Sequence, residues 1–158
     1  MPEVSDVIQL RGCIEIALMN AYTGEEIARR KLDNTVVTAG RAWVLHVLNS
    51  SDAATSQIVS HMAVGTSTTA PATGDTLLGS ESLRIAVNSF TTSNLTSNPP
   101  SWRAEASFAT NQANTTLGEV GLFNTSTANA QTLLAHATFA TINKTTSNTL
   151  NISYTISN

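Results

Sequence analysis

Polar and apolar residues alternate along most of this chain, and the alternation has a period of two. Ile8, Leu10, Ile14, Ile16 and Leu18 share one parity, with Gly12 in the same row, while Gln9, Arg11 and Glu15 take the other. That is the mark of a half-buried strand. Tyr22-Thr23-Gly24 reads as a turn, and Ile27 to Leu32 as the returning arm of a hairpin. Ile58 to Val64 and Leu83 to Phe90 are further strands. Trp102, Ala104, Ala106 and Phe108 alternate with Arg103, Glu105 and Ser107. Leu133, Ala135, Ala137 and Phe139 alternate with Leu134, His136 and Thr138. In the last strand Leu150, Ile152, Tyr154 and Ile156 stand against Asn151, Ser153, Thr155 and Ser157.

One segment has a helical period instead. Thr38 is suited to an N-cap, Trp43, Val44, Val47 and Leu48 follow at helical spacing, and Asn49-Ser50-Ser51-Asp52 ends the pattern, which predicts a helix over about 38–49. Arg41 in its first turn opposes the helix dipole and calls for a partner elsewhere. Residues 1–6, polar with Pro2, read as an extended arm. The rest, 7–158, reads as one domain: an all-β antiparallel sandwich, jelly-roll-like, with about eight strands and one short inserted helix.

The centre of that sheet is Leu117 to Asn124, Leu-Gly-Glu-Val-Gly-Leu-Phe-Asn. Gly118 and Gly121 inside a strand mark a bulge or a close backbone approach. Glu119, between Gly118 and Val120, needs a cationic or backbone partner if it is buried. Arg84, Arg103 and Arg41 are the candidate cations, and a structural ion pair is the reading preferred for Glu119.

Composition sharpens this picture. The 158 residues are 41% hydrophobic but only 12% charged, with net charge −3, against about 25% charged in ordinary soluble domains. Ser, Thr, Asn and Ala replace the missing charge, and the β-branched content argues against disorder. Such a neutral surface suits close packing against other copies or partners. The single Cys13 excludes an intramolecular disulfide and argues against a thiolate metal cage; within its alternating strand it reads as a small buried hydrophobe. No basic region followed by an apolar stretch opens the chain, and no apolar run reaches the roughly 20 residues that span a bilayer. Arg29-Arg30-Lys31 sits beside Glu25 and Glu26, which argues against a nucleic-acid groove.

Catalytic patterns are absent. His46, His61 and His136 lie on three different elements without metal-ligand spacing, and ordinary polar roles are their default. The loop from Gly65 to Gly79 lacks the lysine of a phosphate-binding loop, and no Gly-x-Ser-x-Gly elbow occurs. Glu105 and Glu119 would resemble a glycosidase pair if their strands were neighbours, but aromatics at 5% leave few platforms for sugar rings. No catalytic residue, metal, cofactor or small-molecule substrate is expected.

The order of short motifs does resemble a known group. The hairpin with Thr23-Gly24 is followed by Asn34-Thr-Val-Val-Thr-Ala-Gly40-Arg41, then Met62-Ala-Val-Gly65 with a Thr/Ala/Pro loop. Asp75-Thr76-Leu77, Glu81-Ser-Leu-Arg84, Glu119-Val-Gly-Leu-Phe123, Leu133-Leu-Ala-His-Ala-Thr-Phe139 and Ile142-Asn-Lys144 complete the series. From about Ile14 onward this is similar to small virion proteins of tailed bacteriophages, and to the N-terminal domains of some phage tail fibres. The resemblance implies a β-sandwich, self-association and no catalysis, in a virion assembled in the bacterial cytoplasm. Because the sequence stops after its last strand, where a fibre would continue into a shaft, the expectation is a capsid decoration (cement) protein. It would be a homotrimer that bridges neighbouring major capsid proteins. A tail, baseplate or fibre-adaptor role is the alternative, and a carbohydrate-binding or glycan-cleaving sandwich the alternative from another class. The arm residues Pro2, Glu3, Val4 and Ser5 and the loop residues Thr66, Thr68, Thr69 and Pro71 are the interface candidates.

Overall fold

The computed structural model describes residues 10–42, 59–93, 100–128 and 133–157. Within them run β1 (Arg11–Asn20), β2 (Glu26–Asp33), β3 (Thr35–Val36), β4 (His61–Gly65), β5 (Glu81–Ala86), β6 (Ser89–Thr92), β7 (Ser101–Phe108), β8 (Thr116–Phe123), β9 (Leu133–Asn143) and β10 (Asn148–Ser157). They form two five-stranded antiparallel sheets, here sheet A in the order β2-β1-β10-β7-β6 and sheet B in the order β3-β9-β8-β4-β5. The all-β sandwich read from the alternation is the fold observed.

The sandwich core follows directly from that alternation. In sheet A, Ile14, Tyr154 and Ala104 lie in one cross-strand row, Ile16, Ile152 and Ala106 in the next, and Leu18, Leu150 and Phe108 in the third. All nine are buried. They pack in one cluster with Met62 and Val64 of β4, Leu117, Val120 and Leu122 of β8, and Ala135, Ala137, Phe139 and Ile142 of β9.

Eight expected strands become ten because the chain changes sheets at each edge of the sandwich. The stretch Leu83 to Phe90 splits into β5 in sheet B and β6 in sheet A. The change falls between Val87, whose N–H donates to Ser60 O (2.9 Å), and Asn88, whose N–H donates to Glu105 O (2.7 Å). Asn88 Oδ1 also accepts from Ser107 N at 2.7 Å, fixing the corner. At the other edge β2 passes into β3 through Asn34, whose side chain fills the space that any Cβ on Gly12 would occupy.

Residues 38–42 are helical. The first backbone bond of that turn runs from Arg41 N to Val37 O, so Thr38 lies inside the turn and the cap position falls on Val37. Gly40 presses against the Leu134 carbonyl so closely that a side chain there would overlap it. The remainder of the expected helix, with Trp43, Val44, Val47 and Leu48, lies outside the described residues, as do the arm residues Pro2, Glu3, Val4 and Ser5. Cys13 corrects the reading given above. It is half-buried, on the parity of Glu15, between Asp33 and Thr155, and the buried parity of β1 belongs to Gly12, Ile14, Ile16 and Leu18.

Candidate functional site

Sheet A leaves one face to solvent, but sheet B is buried on both. Its outer face is covered by the loop 66–80 and by the segment around the helical turn, with Val37, Ala63, Leu78, Phe123 and Leu133 forming a second small core there. A strand buried on both faces shows no clean alternation. This explains why β8 is buried from Leu117 to Phe123 and β9 from Leu133 to Ala137.

Glycines make that covering possible. The β8–β9 register shifts between Leu117 and Glu119, a bulge at Gly118 that turns Glu119 to the outer face while Leu117 and Val120 both reach the sandwich core. Opposite Glu119 on β4 stands Gly65. A Cβ on Gly65 would overlap the Glu119 carboxylate and the Ser80 carbonyl, and one on Gly121 would come within 2.7 Å of Leu133 Cδ1 and 2.9 Å of Leu78 Cδ2. One on Gly118 would lie 2.8 Å from Ser67 O. Together these positions form a recess into which the loop backbone sinks.

At the bottom of the recess Glu119 is fully buried. Its Oε1 accepts from Ser80 N (2.7 Å) and Ser67 N (3.2 Å), and its Oε2 from Gly79 N (2.8 Å). The fourth partner is His136 of β9, with Nε2 3.1 Å from Oε2. On the other side of the ring, His136 Nδ1 lies 2.8 Å from Asp75 Oδ2, and the same oxygen accepts from Ala72 N at 2.8 Å. The result is a carboxylate–imidazole–carboxylate array reaching from the loop to the central strand.

The electrostatics favour a charged ring between two anions. Burial works to lower the His136 pKa, but its bonds to Glu119 and Asp75 outweigh it and raise the value above that of an ordinary histidine. Burial works to raise Glu119, yet His136 and the three loop N–H groups hold it below the usual carboxylate range. Asp75 is lowered too: burial opposes, while Ala72 N–H and His136 prevail. With a carboxylate on each ring nitrogen, the imidazolium has neither a lone pair nor a spare proton for a substrate. The array is a clamp on the loop.

The cation expected for Glu119 was an arginine, and the structure corrects this: the partner is His136. Arg84 makes a two-pronged pair with Glu81 (3.0 and 2.7 Å), lies 3.5 Å over the Phe123 ring, and donates to the carbonyls of Thr125 (3.1 Å) and Thr127 (2.8 Å). Arg103 pairs with Glu105 (2.8 Å) at the surface. Arg41 is exposed on the helical turn. Glu105 and Glu119 lie in different sheets, so the carboxylate pair of a glycosidase is not assembled from them. His61 bonds to Ser60 Oγ at 2.7 Å, and His46 lies outside the described residues. Among the described residues no group of three or more His, Cys, Asp or Glu side chains is arranged to hold a metal ion.

Of the interface candidates, Thr66, Thr68 and Thr69 are exposed on the clamped loop and Pro71 is half-buried. Two features were not anticipated. Lys144 is buried and donates to Ala109 O (2.7 Å) and Asn114 Oδ1 (3.0 Å), holding the 109–115 turn, and burial lowers its pKa. The solvent face of sheet A carries a groove of about 480 Å³ with Ala17, Ser107, Asn151 and Ser153 among its lining and Glu15, Arg29, Arg103 and Glu105 beside them.

Comparison with known proteins adds no relative to this picture: no family model, curated protein or solved structure matches the chain.

Proposed function

We propose that this chain is a non-enzymatic structural protein of a tailed-bacteriophage virion, a capsid decoration protein that bridges neighbouring major capsid proteins as a homotrimer. The observation that supports this best is the clamp. Buried charge is used to fix a loop whose outward side is Thr66, Thr68 and Thr69. A loop already held in one conformation loses little entropy when a partner covers it. Neutral hydroxyls desolvate at lower cost than charges, so such a surface suits repeated docking onto an array. Each copy contributes a modest free energy, and multiple attachment points multiply it.

Cryo-electron microscopy of virions from the same genome is the test. Density for the sandwich on the head, with loop 66–80 against the capsid, is the expected result; density on the tail or baseplate selects the tail or fibre-adaptor alternative, and absence from particles ends the proposal. A second reading, carbohydrate binding, is favoured by the sheet A groove, whose carboxylates, guanidinium groups and Asn151 amide are the planar polar groups that grip sugar hydroxyls. A glycan array on the purified protein tests it, and lack of binding removes it.

A further inference from the structure

We propose that the loop 66–80 is a two-part latch worked by one proton. Its flap, the turn 72–75, is held on sheet B while both ring nitrogens of His136 carry a proton, and lifts when the ring loses one. Its base, Ser67, Gly79 and Ser80, stays docked throughout. The hydrogen bonds divide the loop in this way. Glu119 accepts from Ser67 N (3.2 Å), Gly79 N (2.8 Å) and Ser80 N (2.7 Å), and these three bonds ask nothing of the ring. The flap reaches His136 through Asp75 Oδ2, 2.8 Å from Nδ1. The same oxygen accepts from Ala72 N (2.8 Å) and Asp75 N donates to Ala72 O (3.1 Å), so the turn moves as one piece. A further tether, Thr38 N to Thr73 O (2.8 Å), starts from the exposed start of the helical turn.

An imidazolium offers two N–H donors, a neutral imidazole one donor and one lone pair. Each nitrogen of His136 faces a carboxylate, so deprotonation sets one carboxylate against a lone pair at hydrogen-bond distance. Burial decides which one. The Glu119 side chain has 0% exposure and no route to water, whereas that of Asp75 is 27% exposed. The remaining proton therefore stays on Nε2, and Asp75 turns to water with the flap. Little packing is lost, because Ala72, Thr73 and Gly74 are exposed already and a Cβ on Gly74 would meet nothing within 4 Å.

The described charges on neighbouring elements have partners of their own or face water. Thr35, His136, Gly121, Ala63 and Arg84 form one cross-strand row, so β3 sets a neutral threonine beside the ring, and β8 and β4 set Gly121 and Ala63 between it and Arg84. Arg84 is bonded to Glu81, which stands opposite Gly65. His61 is bonded to Ser60 Oγ, and Arg41 is exposed. Glu119 and Asp75 raise the His136 pKa, so opening falls above the ordinary histidine value of about 6.5. The latch rests on the clamp and not on the virion reading.

Backbone amide nitrogen relaxation on the labelled full chain, from about pH 5.5 to about pH 9.5, is the experiment, with the His136 ring followed in the same samples. Order parameters at Thr73, Gly74 and Asp75 are expected to fall from about 0.85 to below about 0.6 as the ring deprotonates. Those at Ser67, Gly79 and Ser80 should hold. Asp75→Asn should abolish the fall, because its amide donates to the bare Nδ1 while its oxygen still accepts from Ala72 N. Asp75→Ala should leave the flap mobile at every pH and the base in place. Flap order that does not change with pH, a fall that persists in Asp75→Asn, or base and flap loosening together overturns the proposal.

Discussion

The two outer faces of the sandwich use the same chemical groups to opposite ends. On sheet A, Glu15 faces Lys31 at 3.0 Å and Arg29 at 3.5 Å, and Arg103 faces Glu105 at 2.8 Å, with all five side chains well exposed. On sheet B, Glu119 and His136 are buried beneath a loop and Asp75 is mostly covered. Distances barely differ between the two sets; solvent does. Exposed pairs are screened and contribute little. A buried group whose partner is removed keeps its desolvation cost with nothing to offset it.

The largest expected effect comes from removing the imidazolium. His136→Ala leaves two carboxylates facing each other under the loop and should lower unfolding free energy by about 3–5 kcal/mol, read from urea denaturation. Glu119→Gln should approach that value, and the double variant should lose less than the sum of the singles. Additive losses would mean that the two side chains do not act as a unit.

Steric disruption of the recess comes next. Gly65→Ala sets a methyl against the Glu119 carboxylate and the Ser80 carbonyl, and should cost about 1–3 kcal/mol. Hydrogen exchange at Ser67, Gly79 and Ser80 amides should accelerate ahead of exchange in β1 or β10. Equal acceleration everywhere would show that the loop is not a separate unit.

Acidity tests the clamp from both sides. His136 is raised on folding, so its contribution is complete below the ordinary histidine value of about 6.5 and fades as pH rises through the higher folded value. Asp75 and Glu119 are lowered, so theirs is present above the ordinary carboxylate range and is lost as pH falls through the folded values. The stability difference between wild type and His136→Gln should therefore be widest in mildly acidic solution and shrink toward both extremes. A difference that is flat with pH would remove charge from the account.

Lys144→Met should be milder, about 1 kcal/mol, because losing the bonds to Ala109 and Asn114 is partly offset by no longer burying an amine. At the small end, Glu15→Gln or Arg103→Ala should leave the melting temperature unchanged within error. A clear drop would mean that the surface pairs contribute more than their exposure allows.

This contrast also decides what the sequence could reveal. Strands β1, β7 and β10 were legible because sheet A has one wet face, so buried and exposed residues alternate at the period of the pleat. Sheet B offers no such code: Leu133-Leu134-Ala135-His136-Ala137 is buried on both parities, and His136 passes for a solvent-facing residue. A clue was there, since Glu119 and His136 are lone polar residues inside otherwise apolar runs. Joining them requires knowing that β8 and β9 are neighbours and that Asp75, 61 residues before His136, returns over them. The glycines of the Leu117 run gave a sounder signal, because only a bulge or a close backbone approach accounts for two of them in a central strand. The corner at Val87–Asn88 did leave a trace, since the apolar parity of Leu83, Ile85 and Val87 breaks at Ser89 and resumes on the other parity at Phe90, but so short a break does not distinguish a change of sheet from a bulge.

That corner, and its counterpart at Asn34, has a mechanical consequence. Each margin of the sandwich is stitched by continuous polypeptide, so force applied to one layer at its edge is carried to the other through covalent bonds as well as through the core contacts between the sheets. The two layers resist peeling the way a hemmed fabric resists fraying, and separating them requires extracting an entire edge strand from its ladder.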